Sequence, residues 1–340
     1  MVKLFRVTID TNPEDCNLNC IMCEEHSRYS SFKTNLLNHE GVKFRRMPSN
    51  WIDKIFAEAK QLGVEEIIPS TMGEPLMYKH IDKFFLLARE YDIKINLTTN
   101  GTFPSRSVQE WAELIIPVTS DTKISLNGAT KQTAENIMEG LDFEKQINDI
   151  KTFVEYRNKY YKETGYYCRI TLQLTFMQNN MHELVDIIKL ASELDIDRIK
   201  GHHLWTHFKE IKGLSFKKNE SSMKLWNNMV DKAREAVQIY RKPNGDPILL
   251  EQINYLKHEE SNNVPYEYIC PFLEKELWVS ATGKISPCCA PDEQRNSLGN
   301  FGNYSNISLT EVLNSDIYND LVKNYKQKTL CKTCVMRKPE

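Results

Sequence analysis

Short apolar segments of strand length alternate with amphipathic segments of helix length through the first 205 residues, which leaves few folds open to the chain. Residues 4–9, 64–69, 93–98, 123–126, 169–176 and 196–200 read as strands. Residues 49–62 read as a helix that Ser49 can cap, with Trp51, Ile52, Ile55, Phe56 and Ala59 on one face and Gly63 as its stop. Further helices are expected over 81–91, 107–115, from 133 through 143 to about 161, and over 182–194. Such alternation indicates parallel βαβ units with right-handed crossovers. Six units are too few for a closed eight-unit barrel, so the expected fold is α/β, an open partial (β/α)6 parallel barrel over residues 1–205. After Gly201 the rhythm fails. Residues 206–265 are expected to be a linker with a helical insertion, with one helix over 221–240 and a turn at "KPNGDP". Residues 266–340 read as a small module, a β-hairpin at "ELWVSATGKISPC" turning at Gly283, plus an amphipathic helix over 308–325 that leads into "CKTC".

Composition excludes several classes of function. With 44 basic and 46 acidic residues the net charge is −2, so neither nucleic acid nor an anionic membrane is expected as a partner. The longest strongly apolar run, residues 84–88, is far short of the ~20 residues of a membrane span. The start "MVKLFRVTID" reads as a strand with no signal-peptide pattern, and a cytoplasmic location is expected. In that reducing compartment an odd count of nine cysteines points to metal ligation, away from a disulfide framework.

The stretch "EDCNLNCIMCEEHSRYS", residues 14–30, places Cys16, Cys20 and Cys23 within eight positions directly after the first strand. A [4Fe–4S] cluster used only for electron transfer takes four thiolates, so three leave one iron open to a small molecule. The loop would sit at the carboxyl end of the sheet, where α/β folds bind ligands. Adding His26 gives a four-ligand set of zinc type, and spacing alone does not separate the two metals.

Residues after the later strands bear on that choice. "STMGEP", residues 70–75, follows the second strand and offers a carboxylate, Glu74, that can accept from an ammonium; alone it reads equally as a solvated turn glutamate. "TTNG", 98–101, and "SLNG", 125–128, follow the third and fourth strands. Together with the cysteine loop these stretches resemble the radical S-adenosylmethionine (SAM) superfamily, whose signature is C-x3-C-x2-C after the first strand. The resemblance implies that SAM chelates the open iron and that the reduced cluster cleaves it to a 5′-deoxyadenosyl radical, which abstracts hydrogen from substrate. It implies roles for Gly73 and Glu74 at the SAM amino group, and for Asn100, Ser125 and Asn127 at its methionine and ribose parts. Met22 stands where the family has an aromatic residue near the adenine. Where the family commonly has an arginine pair this chain has Met138 and Glu139, which leaves Arg169 or Arg28 for the SAM carboxylate.

Cys270, Gly283, Cys288 and then Cys331-x2-Cys334 resemble the SPASM/Twitch modules of many such enzymes, although a zinc ribbon fits the local spacing too. The resemblance implies one auxiliary [4Fe–4S] cluster on Cys270, Cys288, Cys331 and Cys334, with Cys289 able to replace Cys288. Cys289 and Cys168 are then left as candidate hydrogen-atom donors. His202 and His207 are candidates for orienting substrate, or plain loop residues.

The expected function is hydrogen abstraction from a peptide or natural-product substrate followed by oxidation, a dehydrogenation or cross-link. An external donor such as flavodoxin or ferredoxin would supply the electron. The alternatives are a radical epimerase with a cysteine donor, acting on a peptide or an aminoglycoside, and a non-catalytic iron–sulfur or zinc protein on the same fold. With a strand starting by residue 4, no amino-terminal peptide-recognition domain is expected.

Overall fold

A computed structural model describes residues 4–70, 72–257 and 264–339. Nine strands form one sheet: β1 (Arg6–Ile9), β2 (Glu66–Ile68), β3 (Lys94–Thr99), β4 (Thr119–Ser125), β5 (Arg169–Phe176), β6 (Arg198–His203), β7 (Leu249–Glu251), β8 (Glu276–Val279) and β9 (Ile285–Ser286). Their order is β7-β6-β5-β4-β3-β2-β1-β8-β9, open at both edges, and only β8–β9 is antiparallel. The crossovers carry α1 (Phe32–Glu40), α2 (Ser49–Gln61), α3 (Ile81–Tyr91), α4 (Val108–Ile115), α5 (Lys131–Ile137), α6 (Phe143–Thr164) and α7 (Leu184–Glu193), and α8 (Glu220–Ile239) precedes β7.

Alternation along the strands divides the sheet into two chemistries. Val7, Ile9, Ile67, Ile95, Leu97, Ile170, Leu172 and Ile199 enter the core under the helices with Ile55, Phe56, Phe84, Trp111 and Phe153. The opposite face is polar. Arg6 bonds Glu66 at 2.6 Å, Asn96 donates to Glu66 at 3.1 Å and Lys123 to Asn96 at 2.5 Å. Arg198 reaches Glu251 at 2.5 Å. A wholly apolar interior would fill the barrel; this one keeps a polar, ligand-compatible face.

All six expected strands and the open sheet are present. The elements that differ have local causes. The continuous helix expected after residue 133 is two helices, because Gly140 takes φ +94° and Asp142 caps α6 by accepting from the Lys145 N–H. The helix expected over 308–325 divides into α10 (Leu309–Leu313) and α11 (Asp316–Asn324) at the Ser315 cap; the four-residue α9 (Asp292–Arg295) precedes both. Helix α1 was not expected, since Leu36 is its one buried residue and no apolar stripe marks it. The 206–265 segment adds an unforeseen edge strand, β7, beside β6.

The carboxyl-terminal hairpin joins the main sheet directly. β8 lies parallel to β1, with Arg6 opposite Glu276 and Ile9 opposite Val279. Glu58 on α2 accepts from the Tyr304 hydroxyl at 3.0 Å and from the Leu309 N–H at 2.7 Å. No helix among the described residues is long and apolar enough to cross a membrane.

Candidate active site

The cysteine loop leaves the carboxyl end of β1 and is held from three sides. Below it, Gly73 takes φ +74°, and a Cβ there would strike Asn12 O and lie 2.8 Å from Asp15 O; only glycine lets the "MGEP" turn pass this close. Thr71 of that stretch lies outside the described residues. On one flank Arg46 makes a bidentate pair with Asp15, both bonds 2.8 Å, while Arg45 binds buried Glu14 and lies 3.3 Å from Glu25. On the other, the break between α5 and α6 frees two carbonyls: Ile137 O accepts from the Ile21 N–H and Glu139 O from the Asn19 N–H, both at 2.9 Å.

Burial pushes the Cys16 thiol up to about 11 and raises Cys20 and Cys23 as well, so a cationic group is needed to hold all three as thiolates. Donors already face the sulfurs: the His26 N–H lies 3.4 Å from Cys23 Sγ and Asn100 Nδ2 3.8 Å from Cys16 Sγ. Hydrogen bonds to sulfur suit iron–sulfur ligation. His26 does not complete a zinc set, because Nε2 is 2.7 Å from Pro13 O and Nδ1 3.0 Å from Lys33 Nζ. Among the described residues no three His, Cys, Asp or Glu side chains converge as a single ion requires. These residues fit a multi-iron cluster better than zinc.

Glu74 is not a solvated turn residue. Only 1% exposed, its carboxylate accepts from Thr99 Oγ1 at 2.8 Å, the Asn100 N–H at 2.7 Å and the Leu76 N–H at 3.1 Å. Burial outweighs these bonds and lifts its carboxyl to about 7. Asn100 also donates to Asn17 Oδ1 at 2.8 Å, which puts the third-strand loop against the cysteine loop. Ser125 closes β4, its carbonyl accepting from Gln146 Nε2 at 3.0 Å. Asn127 is buried and accepts from the Thr175 N–H at 2.8 Å, tying β4 to β5. Met22 packs on a cluster formed by Leu18, Ile21, Ile137 and Met138. Glu139 pairs with Arg28 at 2.7 Å, so Arg28 stays beside the loop. Arg169 does not: it opens β5 and lies at the amino-terminal edge of the sheet. Cys168 precedes it, fully buried against Thr122 Oγ1 at 3.4 Å, with burial raising its thiol to about 12. Both lie at the opposite end of the strands from the cysteine loop.

The carboxyl-terminal cysteines converge although Cys270 and Cys334 are far apart in sequence. Cys270, Cys288, Cys289, Cys331 and Cys334 line one cavity of about 760 Å³ together with Lys200 and His203 at the end of β6. N–H groups again face sulfur, Leu273 N to Cys270 Sγ at 3.4 Å and Ala290 N to Cys288 Sγ at 3.5 Å. The neighbouring Cys289 thiol lowers the Cys288 pKa, while Cys288 and burial raise that of Cys289. A second cavity, about 420 Å³, shares His203, Trp205, Lys217, Gln294 and Val335 with the first and extends to Glu24, next to Cys23. His202 lines the larger cavity, and His207 lines the smaller, stacked on Trp205 at 6.2 Å. His203 was not anticipated. It sits in a ring cage, 4.7 Å from Trp226 and 5.4 Å from Phe176, and burial lowers its pKa to about 4, so it is neutral. The only trace of it in the sequence is the His-His pair that ends the sixth strand.

Comparison with known proteins agrees with this geometry. Among curated proteins, the S-adenosyl-L-methionine-dependent tRNA 4-demethylwyosine synthase TYW1 of Xenopus laevis is 26% identical over 170 residues, 49% of this chain and 21% of the relative. A probable GTP 3′,8-cyclase of Pyrococcus abyssi (strain GE5 / Orsay) is 26% identical over 183 residues, 54% of this chain and 51% of that one. The chain thus spans about a fifth and about half the length of these relatives. Among solved structures, Streptococcus suis SuiB bound to SAM superposes with a TM-score of 0.66 at 18% identity, over 98% of this chain and 72% of the other. Native anSMEcpe with bound AdoMet gives a TM-score of 0.62 at 17% identity, over 97% and 88%. These two share the fold. A family model described as the iron-sulfur cluster-binding domain SPASM matches residues 270–335. The model of the Radical SAM superfamily matches residues 13–191, so the chain belongs to that superfamily, with SAM, a SAM-binding [4Fe–4S] cluster and an auxiliary cluster as its cofactors.

Proposed function

We propose that the protein abstracts hydrogen from a peptide or related natural product and oxidises it, with the substrate held in the two joined cavities. The assignment of residues is part of the proposal. Cys16, Cys20 and Cys23 hold the cluster that leaves one iron open, and Cys270, Cys288, Cys331 and Cys334 hold the auxiliary cluster. When bound, the first cluster and SAM supply the radical that removes the substrate hydrogen. Glu74 receives the SAM ammonium with the lone pairs its three present donors leave free. Asn100 orients the cysteine loop through Asn17, and Met22 packs against the adenine side.

The observation that carries the reading is the shared wall of the cavities. His203, Trp205 and Lys217 belong to both, so one ligand can extend from the side of the cysteine loop to the auxiliary cysteines. An acceptor cluster at the far end suits removal of a second electron from the substrate. A peptide is favoured over a compact sugar because the smaller cavity, about 420 Å³, runs from the larger one to Glu24 and so leaves an extended site beyond the space the auxiliary cluster would take. The fold is shared with SuiB bound to its precursor peptide SuiA and with anSMEcpe bound to a peptide, an analogy of architecture.

Anaerobically reconstituted protein tests the assignment: ~8 iron atoms per chain are expected, four per cubane. Alanine at Cys16, Cys20 and Cys23 together should leave ~4 iron and abolish reductive SAM cleavage. Zinc at the amino-terminal loop, or SAM cleavage by the triple variant, would defeat it.

A further inference from the structure

Arg337 is a buried cation with no acid beside it among the described residues. It is 5% exposed, and no carboxylate among the described residues lies within ion-pair distance. Its guanidinium is spent on backbone carbonyls: Nε on Tyr268 O at 2.9 Å, Nη1 on Cys331 O at 3.2 Å, and Nη2 on Pro265 O and Tyr266 O, each at 2.9 Å. Its own N–H donates to Cys334 O at 3.1 Å, and the residue lines the cavity that the five cysteines share. A buried charge is costly unless an opposite charge arrives. Arg295, the other arginine in this region, donates to Cys288 O at 3.3 Å but is already neutralised by Asp292, with Nε 2.6 Å from the carboxylate.

We propose that Arg337 is the built-in counter-charge of the auxiliary cluster, anchored by four carbonyls beside the Cys331–Cys334 loop so that it favours the reduced state. The proposal rests on the ligand assignment above. Four thiolates around a dipositive cubane leave a dianion, and one added electron makes a trianion. A fixed guanidinium lowers the energy of the trianion more than that of the dianion, since the attraction grows with charge. Carbonyl anchoring leaves the positive charge intact, whereas a carboxylate partner would cancel it.

The experiment uses the full chain with Cys16, Cys20 and Cys23 all changed to alanine, so that the auxiliary cluster is the sole iron. It is titrated with dithionite, which supplies the electron, and followed by electron paramagnetic resonance. Arg337→Gln should retain ~4 iron and show about a tenfold lower reduced-to-oxidised ratio at a given potential, about 59 mV for one electron. Arg295→Gln should shift the ratio less, and Arg337→Lys should stay near the parent. An unchanged ratio in iron-loaded Arg337→Gln overturns the proposal and leaves the ligand assignment standing. A parent with no iron at this site overturns the ligand assignment instead. If Arg337→Gln loses its iron, Arg337→Lys decides: iron retained at the parent potential supports a charge role, and iron lost here too assigns Arg337 to anchoring alone.

Discussion

The backbone N–H of Asn100 donates to Glu74 Oε2 at 2.7 Å, so one buried carboxylate holds the loop after β3 against the loop after β2. Glu74→Gln should therefore weaken SAM binding by losing a charge-assisted bond of roughly 1.5–3 kcal/mol, roughly tenfold to a hundredfold in affinity. Iron content should stay at the wild-type level, because no ligand changes. Equilibrium dialysis with labelled SAM and an iron assay check both. Unchanged affinity would restrict Glu74 to bracing the two loops.

Gly73 is the steric gate under the cysteine loop, with Asp15 O 2.8 Å from where a Cβ would stand. Gly73→Ala should push the loop off its seat and cut reconstituted iron from ~8 to ~4 atoms per chain. Gly165, also at positive φ but with nothing within 4 Å of its Cβ position, is the control. Gly165→Ala should keep both clusters and lose only about 1 kcal/mol of stability.

Far from the site, Asp197 collects Arg157 Nη1 at 2.7 Å, Lys242 Nζ at 2.6 Å and the Ile170 N–H at 2.8 Å. Despite burial, the Arg157 charge and these bonds hold its carboxyl below the ordinary 3.8. Its contribution to stability is thus present above pH 3.8 and lost as pH falls through the lower folded value. Asp197→Asn should destabilise by up to about 3–5 kcal/mol at neutral pH, since buried Arg157 loses its nearer carboxylate and keeps only Asp195, 3.6 Å away. Acid unfolding of the variant followed by circular dichroism should show a shallower pH dependence in that window.

Oxidation and epimerisation are separated by the mass of the product made in deuterated water. Cys289, beside Cys288 on the wall of the larger cavity, is the remaining thiol that could return a hydrogen atom. The oxidation reading expects a product two hydrogens lighter that forms equally well with Cys289→Ser. One solvent deuterium in a product otherwise unchanged, lost with Cys289→Ser, would establish inversion.

Strand and helix positions were legible because burial under one helical layer imposes its period on residues such as Val7, Ile67, Ile95 and Leu172, a local property of the chain. The cysteine spacing and the loops at Glu74 and Asn100 were legible for the same reason: each is a short contiguous stretch in the loop that follows a strand. What the sequence could not disclose depends on pairs distant along the chain. Parallel pairing of β8 with β1 joins residues about 270 apart, and no local pattern encodes a partner at that range. The three-residue strand β7 was too short to carry a period. The amino-terminal placement of Arg169 and Cys168, the cage around His203, and the burial of Arg337 among carbonyls were decided only by tertiary packing, because solvent exposure is a property of the folded surface and not of any residue's neighbours in sequence.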